Sequence, residues 1–595
     1  MSQPLFVAGL ALWFGAPTLA QNDISWLSFV REDSRLSGAV NLTTGDVQEK
    51  DYAWGDLDGD GDDDLVSVRK EPFTSSGRFP NVLLMNEAGV LTDRTAQYAS
   101  ASDVPGDEGF LTATNDRDVV LVDVDLDGWL DVVTATTLSA GEPKHVSHPR
   151  IYMNLGQDGS GNWLGLMMQD ARFPQLFAGS TATWPRFCGV GAGDVTGNGY
   201  PDLYFADYDS GGSGGGDLQD RLLINDGNGF FTDESSARMS AVMLSSGFGT
   251  SATIVDVNGD GHADVVDGES GKVAVYYNDP DDVGTFDLLD NPYGGAPYHV
   301  NTGDLNQDGM VDLIVTDDGA DRYLLNEGPD VFGRATWSPA YTYNTDDGFG
   351  SDNLVVDLDG DGWPETLYAD VDVDVPGCER RAHIFHNRGG VVGGFVDLHE
   401  ESGGGSTGVT GLSQVMMRGV HDIAAFDLEG DGDIDLIFGR CIGTNVWLNQ
   451  LDPDPPVIGS NYCNPAAPNS TGQAASISGT GSALVSDNNF SLVASQLPPN
   501  QFGYFVTSET QGFFPMVGGS QGNLCLAGTL GRFVQAVQNS GSQGTFSIPV
   551  DLTNLPGPIG GSVSAGETWN FTAWFRDANP TSTSNFTNGL SVQFQ

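Results

Sequence analysis

A chain of 595 residues is longer than one ordinary core supports, so a repeat array or several domains is expected. Its 24 Lys and Arg stand against 81 Asp and Glu, a formal net charge of −57. That charge repels phosphate backbones and anionic lipid, which argues against nucleic acid as a partner even if cations offset part of it.

Residues 5–14 are apolar, and Pro17, Thr18, Leu19 and Ala20 lead from them into a polar Gln21-Asn22-Asp23. A short apolar run ending in small residues predicts a secretory signal peptide over 1–20, although no Lys or Arg precedes it. The run is shorter than the ~20 residues of a spanning helix, and no later one is long enough, so no transmembrane segment is expected. The expected location is therefore secreted, outside the cell or at its surface.

From Asp56 onward one acidic frame occurs seven times. Position 1 is Asp, position 6 is Gly, and oxygen-bearing residues stand at 3, 5 and 9. The first copy has Asp56, Asp58, Asp60 and Asp64, with Asp62 at position 7. The second has Asp123, Asp125, Asp127 and Asp131, and the third Asp194, Thr196, Asn198 and Asp202. Asp256, Asn258, Asp260 and Asp264 form the fourth, and Asp304, Asn306, Asp308 and Asp312 the fifth. The last two are Asp357, Asp359, Asp361 and Glu365, then Asp427, Glu429, Asp431 and Asp435. Calcium takes six to eight oxygens, and alternating side chains on a loop turned by glycine can supply them. An EF-hand would place its bidentate Glu at position 12 and continue as a helix. Here the last acid is at 9, and apolar, β-favouring residues follow, such as Leu65-Val66 and Leu367-Tyr368. Asp and Gly are also ordinary turn residues, but seven copies in one frame favour up to seven Ca2+ sites, the Asp194 loop being weakest.

A short apolar strand ending in Asn follows each loop, at Asn86, Asn154, Asn225, Asn278, Asn326, Asn387 and Asn449. The loops start 48 to 71 residues apart, a spacing of β-repeats with about four strands each. Such units cannot bury both faces alone, and radial packing into a seven-bladed β-propeller solves this over residues 21–450. The seventh unit stops at Asn449 without an outer strand, whereas residues 24–31 are spare β-like sequence. The N-terminal segment is therefore expected to complete the last blade and close the ring.

The Asp-x-Asp-x-Asp-Gly-x-x-Asp frame followed by the strand ending in Asn resembles the FG-GAP/VCBS repeat family, which includes the N-terminal propeller of integrin α-subunits and many secreted bacterial proteins. The Phe-Gly element stands as Gly247-Phe248-Gly249 and Gly348-Phe349-Gly350, with Ala53-Trp54-Gly55 in the similar place of the first copy. The Gly-Ala-Pro half is seen only as Gly191-Ala192-Gly193. The resemblance spans about residues 22–450 and implies calcium in the loops, with position 7 giving a backbone carbonyl.

Residues 451–462 are a Pro-rich linker, and 463–595 change to a Ser, Thr, Asn and Gly composition with short strands. The strands are expected near residues 490–494, 502–506, 532–537, 545–548 and 569–575, as a small β-sandwich. The start of this region, from Tyr462-Cys463, resembles a C-terminal module of varied secreted bacterial proteins. Among five cysteines, Cys378 with Cys441 and Cys463 with Cys525 are disulfide candidates, leaving Cys188.

The pairs His145/His148 and His383/His386 read as surface or loop histidines, because a spacing of three puts strand residues on opposite faces. No nucleophile elbow, phosphate loop or HExxH helix occurs, so no catalytic residue is nominated. The expected function is binding or adhesion to a glycan or extracellular protein by a monomer. The alternative is an extracellular carbohydrate-active enzyme, a polysaccharide lyase or hydrolase on the same scaffold, marked by His, Tyr, Arg or Lys clustered at the ring's centre. A structural envelope component is the third reading.

Overall fold

The computed structural model describes residues 26–39, 41–42, 45–71, 77–178, 181–182, 184–208, 219–245, 249–343, 352–369, 378, 380–392, 394–400, 409–450, 458–463, 466–481, 485, 490–541, 544–556, 561–578 and 582–594. The predicted signal segment, the Phe-Gly elements at 248 and 349–350, the Gly/Ser insertion at 210–216 and most of the linker lie outside them. The fold is all-β, with 49% strand against 6% helix. It divides into two compact units, residues 1–451 and 452–595.

Among the described residues the first unit holds seven mainly antiparallel sheets of four or five strands, and two further two-stranded ones. The first runs Glu49–Gly55, Asp64–Lys70, Val82–Asn86 and Leu91–Asp93, with Leu36–Ser37 parallel on its outer edge. The innermost strands of the next five are Asp116–Val122, Phe187–Gly193, Ala252–Val255, Pro297–Gly303 and Asn353–Val356. The seventh runs Val420–Phe426, Asp435–Arg440, Gly443–Asn449 and Phe29–Arg31. That last strand is the N-terminal segment, antiparallel to Gly443–Asn449 near the end of the first unit, with Phe29 opposite Asn449 and Arg31 opposite Trp447.

One register repeats in every sheet. The residue before position 1 pairs with position 9, as Gly55 with Asp64, Val122 with Asp131 and Phe426 with Asp435, so positions 1 to 8 are a hairpin connection. Strand alternation then sends position 10 to the core shared with the preceding sheet and position 11 to the next. Leu65 packs with Ile437 and Val446 of the seventh sheet, whereas Val66 packs with Val132 and Tyr152 of the second. The sixth sheet departs from the apolar pattern: position 10 is Thr366, buried against the Tyr343 hydroxyl at 3.1 Å, and Leu367 faces the seventh sheet. Each pair of successive sheets thus shares one core, and the seventh shares one with the first.

In the second unit a large sheet orders Ser460–Tyr462, Gly589–Gln593, Thr568–Ala578, Phe502–Ser508 and Gly531–Arg532. Its Phe571, Phe575 and Leu590 meet Leu492 and Ile548 of a three-stranded sheet, Ser476–Gly481, Phe490–Ser495 and Phe546–Val550. The strand expected at 532–537 is not continuous. After Arg532 the chain turns out, with Val534 and Val537 exposed, and rejoins the sheet at Gln538–Asn539. Disulfides join Cys378 to Cys441 and Cys463 to Cys525, and Cys188 is free and buried.

Candidate metal centres

The loop is built by its own carboxylates. In the first copy Asp56 Oδ1 accepts the Gly59 and Asp60 N–H groups at 2.7 and 3.2 Å, and Oδ2 accepts Gly61 at 3.1 Å. Gly59 and Gly61 have φ of 78° and 99°, which a side chain would strain. Asp58 and Asp60 each accept the N–H two residues on, a local turn of the Asx kind. The position-9 carboxylate is buried in the first strand pair and bridges two elements. Asp64 accepts Leu57 N–H at 3.1 Å and Asn86 N–H at 2.8 Å. Asp131, Asp202, Asp264, Asp312, Glu365 and Asp435 accept the same two N–H groups in their own sheets.

Among the described residues, groups of three or more potential Asp, Glu, His or Cys ligands come together in the first, second and sixth loops. Asp56, Asp58 and Asp64 bring oxygens within 4.8 Å of one another, as do Asp123, Asp125 and Asp127, and Asp357, Asp359 and Asp361. Asp60 and Asp62 stand outside the first group, and Asp131 outside the second. In the third loop the Thr196 hydroxyl donates to Asp202 at 3.2 Å, and Asp194 and Asn198 cap the turn. In the fourth and fifth, Asn258 and Asn306 amides donate to Asp260 and Asp308 at 3.0 Å, while Asp256 and Asp304 hold the turn glycines. In the seventh, Asp427 and Asp431 keep the turn, but Glu429 is drawn to Arg35 at 2.7 Å, a partner far away in sequence.

Burial raises the position-9 acids, against the pull of their N–H donors. Asp64 and Glu365 are pushed up to about 8, and Asp131, Asp264, Asp312 and Asp435 to about 7. Neighbouring loop acids add to this. Of the loop carboxylate oxygens, Asp125 Oδ1 and Asp357 Oδ1 are buried without a hydrogen-bond partner. Close, buried carboxylate oxygens with spare lone pairs fit a hard divalent cation held by oxygen.

The recurring Asn on or just after each sheet's third strand has a role its position alone did not reveal. Its amide donates to the position-2 carbonyl of the preceding unit's loop: Asn154 to Leu57, Asn225 to Val124, Asn278 to Val195, Asn326 to Val257, Asn387 to Leu305 and Asn449 to Leu358, all at 2.7–3.0 Å. Asn86 donates to Leu428, joining the first unit to the seventh. The available signal was the recurrence of an apolar run ending in Asn after every loop, at offsets of either 22 or 30–31 residues from its first Asp.

A second set of equivalent positions lies five residues before each loop: Asp51, Asp118, Gly189, Ser251, His299, Asp352 and Asp422. Asp118, Ser251 and Asp422 accept N–H groups of the next sheet's innermost strand, from Val190, Val300 and Tyr52. His299 Nε2 lies 2.7 Å from Asp352. Next to it, in four sheets, a register shift accommodates an extra residue, namely Arg117, Cys188, Tyr298 and His421, and such bulges re-aim side chains. Arg117 pairs with Glu49, which also takes Lys70 at 2.7 Å. Burial pushes the Glu49 carboxyl up, but Arg117 and Lys70 outweigh it and hold it at about 2.

The histidine expectation is corrected. His383 is buried and lies 3.1 Å from Glu400, and His148 is buried against Ser147 and Gln175. His386 stacks on Trp26, with ring centroids 4.1 Å apart, and lies 3.6 Å from Asp359. A spacing of three does put 383 and 386 on opposite faces, but both faces of the sheet are interior.

Three FG-GAP-like repeats are found in the chain, at residues 194–266, 256–315 and 304–368, in keeping with the FG-GAP/VCBS resemblance. No curated protein matches it. Among solved structures, the chain is similar to an Agrocybe aegerita lectin described as recognising non-reducing terminal N-acetylglucosamine, at 18% identity and TM-score 0.35, over 60% of this chain and 79% of that one. It is similar to a Lactobacillus plantarum protein at 12% identity and TM-score 0.34, over 59% and 83%. It is also similar to BBS1N, solved in complex with ARL6DN, at 10% identity and TM-score 0.39, over 72% and 97%. Superpositions this loose assign no residue here a role.

Proposed function

We propose that the chain is a secreted, calcium-stabilised seven-bladed β-propeller with a C-terminal β-sandwich, and that it binds a glycan or protein outside the cell. The observation that carries this is the repeated unit: one acidic hairpin per sheet, each tied by an Asn to the loop before it. Cores shared from sheet to sheet, and a last sheet completed by residues 29–31, support the propeller reading. Two disulfides fit an oxidising compartment. Among the described residues no helix is long and apolar enough to cross a membrane. With calcium in the loops, the polar ring of Asp118, His299 and Asp352 is the ligand-contacting surface, since carboxylates and imidazole offer hydrogen bonds to hydroxyl groups.

The test is a glycan and extracellular-protein binding screen with the calcium-loaded chain. Selective binding that Asp118→Asn or His299→Ala weakens more than about tenfold, a loss of ~1.4 kcal/mol, supports the reading when the melting temperature is unchanged. Binding that ignores both substitutions removes the ring from the account, and no selective ligand returns the chain to a structural role.

One observation favours the enzyme reading as the second. Arg117, Tyr298, His299, His421 and Lys70 lie with Asp51, Asp352 and Asp422 around the innermost strands, the cluster expected of a carbohydrate-active enzyme. Incubation with acidic and neutral polysaccharides would show new reducing ends or unsaturated products, lost in Asp352→Asn. Intact polymer throughout would remove this reading.

A further inference from the structure

We propose that the sixth loop is a mixed carboxylate–imidazole site for a late first-row divalent cation, with Zn2+ as the probe, and differs in ion from the other loops. The inference rests on reading the loops as cation sites.

Three departures coincide there. Position 9 is Glu365, where the other six loops have Asp. The residue before the bridging Asn is His386, where the others have Met85, Met153, Ile224, Tyr277, Leu325 and Leu448. The third concerns Asp357. In the six other loops the position-1 Oδ1 accepts the position-5 N–H, but Asp357 Oδ1 is buried and accepts none.

The geometry brings two of these changes, Glu365 and His386, to one point beside Asp359. Ligand atoms of Asp359, Glu365 and His386 lie within 4.8 Å of one another. Glu365 is fully buried, and each of its oxygens takes a single N–H, from Leu358 and Asn387, so each keeps a lone pair. Ligands held at ~2.0–2.2 Å from one ion need only small rotations to close these separations. The imidazole plane is fixed by Trp26, parallel to within 4°. An all-oxygen loop suits calcium, whereas an imidazole donor shifts preference toward zinc and its neighbours. Trp26 lies just before the strand Phe29–Arg31 that completes the seventh sheet, so filling the site also steadies that segment.

The experiment loads the full chain with Zn2+, dialyses it against excess Ca2+ and measures retained zinc by atomic emission, beside thermal melts in calcium and in chelator. The expected result is about one Zn2+ per chain, and a more than tenfold weaker zinc affinity in His386→Gln, since even outer-shell losses cost ~10–100-fold. His145→Gln should retain zinc like the parent, and Glu365→Asp, which restores the common residue, should shift the loop toward calcium. Zinc displaced by calcium from the parent chain, or retained equally by His386→Gln, would overturn the proposal and leave His386 as an ion-pair partner of Asp359. Zinc loss with the calcium-dependent melt intact defeats this inference alone. Zinc retention without any calcium shift defeats the calcium reading alone. If His386→Gln fails to fold, Co2+ absorption of the parent chain decides: bands of a nitrogen-ligated ion support the site, and their absence overturns it.

Discussion

Asn86 donates its side-chain amide to the Leu428 carbonyl at 2.9 Å, across 342 residues of sequence. The same bond repeats between every pair of successive units, so no loop hairpin stands alone. Its oxygen meanwhile accepts Gly89 N–H at 2.9 Å. Asn86→Ala would leave a buried carbonyl and a buried N–H without partners, a loss of about 1–3 kcal/mol. Asn154→Ala should cost more, because Asn154 also accepts the buried Trp163 indole N–H at 2.8 Å. Urea denaturation of the two variants checks the order. Wild-type midpoints in both would mean the ladder is incidental.

The strand Phe29–Arg31 completes the seventh sheet, and Phe29 and Leu27 are buried in the core between the sixth and seventh sheets. Phe29→Ala removes a buried aromatic ring, which costs about 3–5 kcal/mol. The exposed neighbour Val30, at 42% exposure, gives a control in Val30→Ala, expected near zero. Equal small losses would mean that the segment is docked loosely and does not hold the seventh sheet.

Much of this arrangement was legible because it repeats. The frame from Asp56 to Asp64 gives the hairpin, its fixed position 9 gives the register, and the alternation of Leu65 and Val66 gives two buried faces. What was not legible is what a side chain does across a sheet boundary. Asn86 and Asn449 read as strand ends, since nothing local shows that their amides reach the preceding loop. The set from Asp51 to Asp422 was visible as an offset of five but carries varied residue types, so no motif drew attention to it. Glu429 reads as a ligand in sequence, and only the fold brings Arg35 beside it. His383 and His386 read as surface or loop residues from their spacing, and that reading failed because a strand buried on both faces has no surface to offer.

His148 is 2% exposed, and burial, with the charges of Lys144 and Arg221, lowers it to about 4. Gln175 donates its amide to His148 Nε2 at 2.8 Å, which requires that nitrogen unprotonated. An unfolded histidine titrates near 6.5, so between 6.5 and 4 the unfolded chain binds the extra proton. Stability from this group is complete above pH 6.5 and lost as pH falls toward 4, by up to about 3 kcal/mol. Denaturation at saturating calcium should therefore weaken across that window, and His148→Gln should flatten part of the slope. An unchanged slope in the variant would place the acid sensitivity elsewhere, with His421, lowered to about 3, the next residue to replace.

Calcium should raise the melting temperature steeply. Without cation the first loop keeps Asp56, Asp58 and Asp64 oxygens within 4.8 Å, and their repulsion opposes the hairpin that sets the sheet's register. A site filled at a hundred times its dissociation constant adds about 2.7 kcal/mol to stability, and several sites add together. Magnesium, which demands a smaller octahedral shell and keeps its waters, should not reproduce the shift. Asp56→Ala should lose part of it, whereas Asp287→Ala, at an exposed position, should lose none. The third loop supplies the converse test. Thr196 now donates to Asp202, and Thr196→Asp would replace that donor with a carboxylate, so the variant should gain calcium-dependent stability while losing some in chelator. Equal effects of Asp56→Ala and Asp287→Ala would show that calcium acts only by screening net charge. A shift reproduced by magnesium would mean loops too open to select their ion.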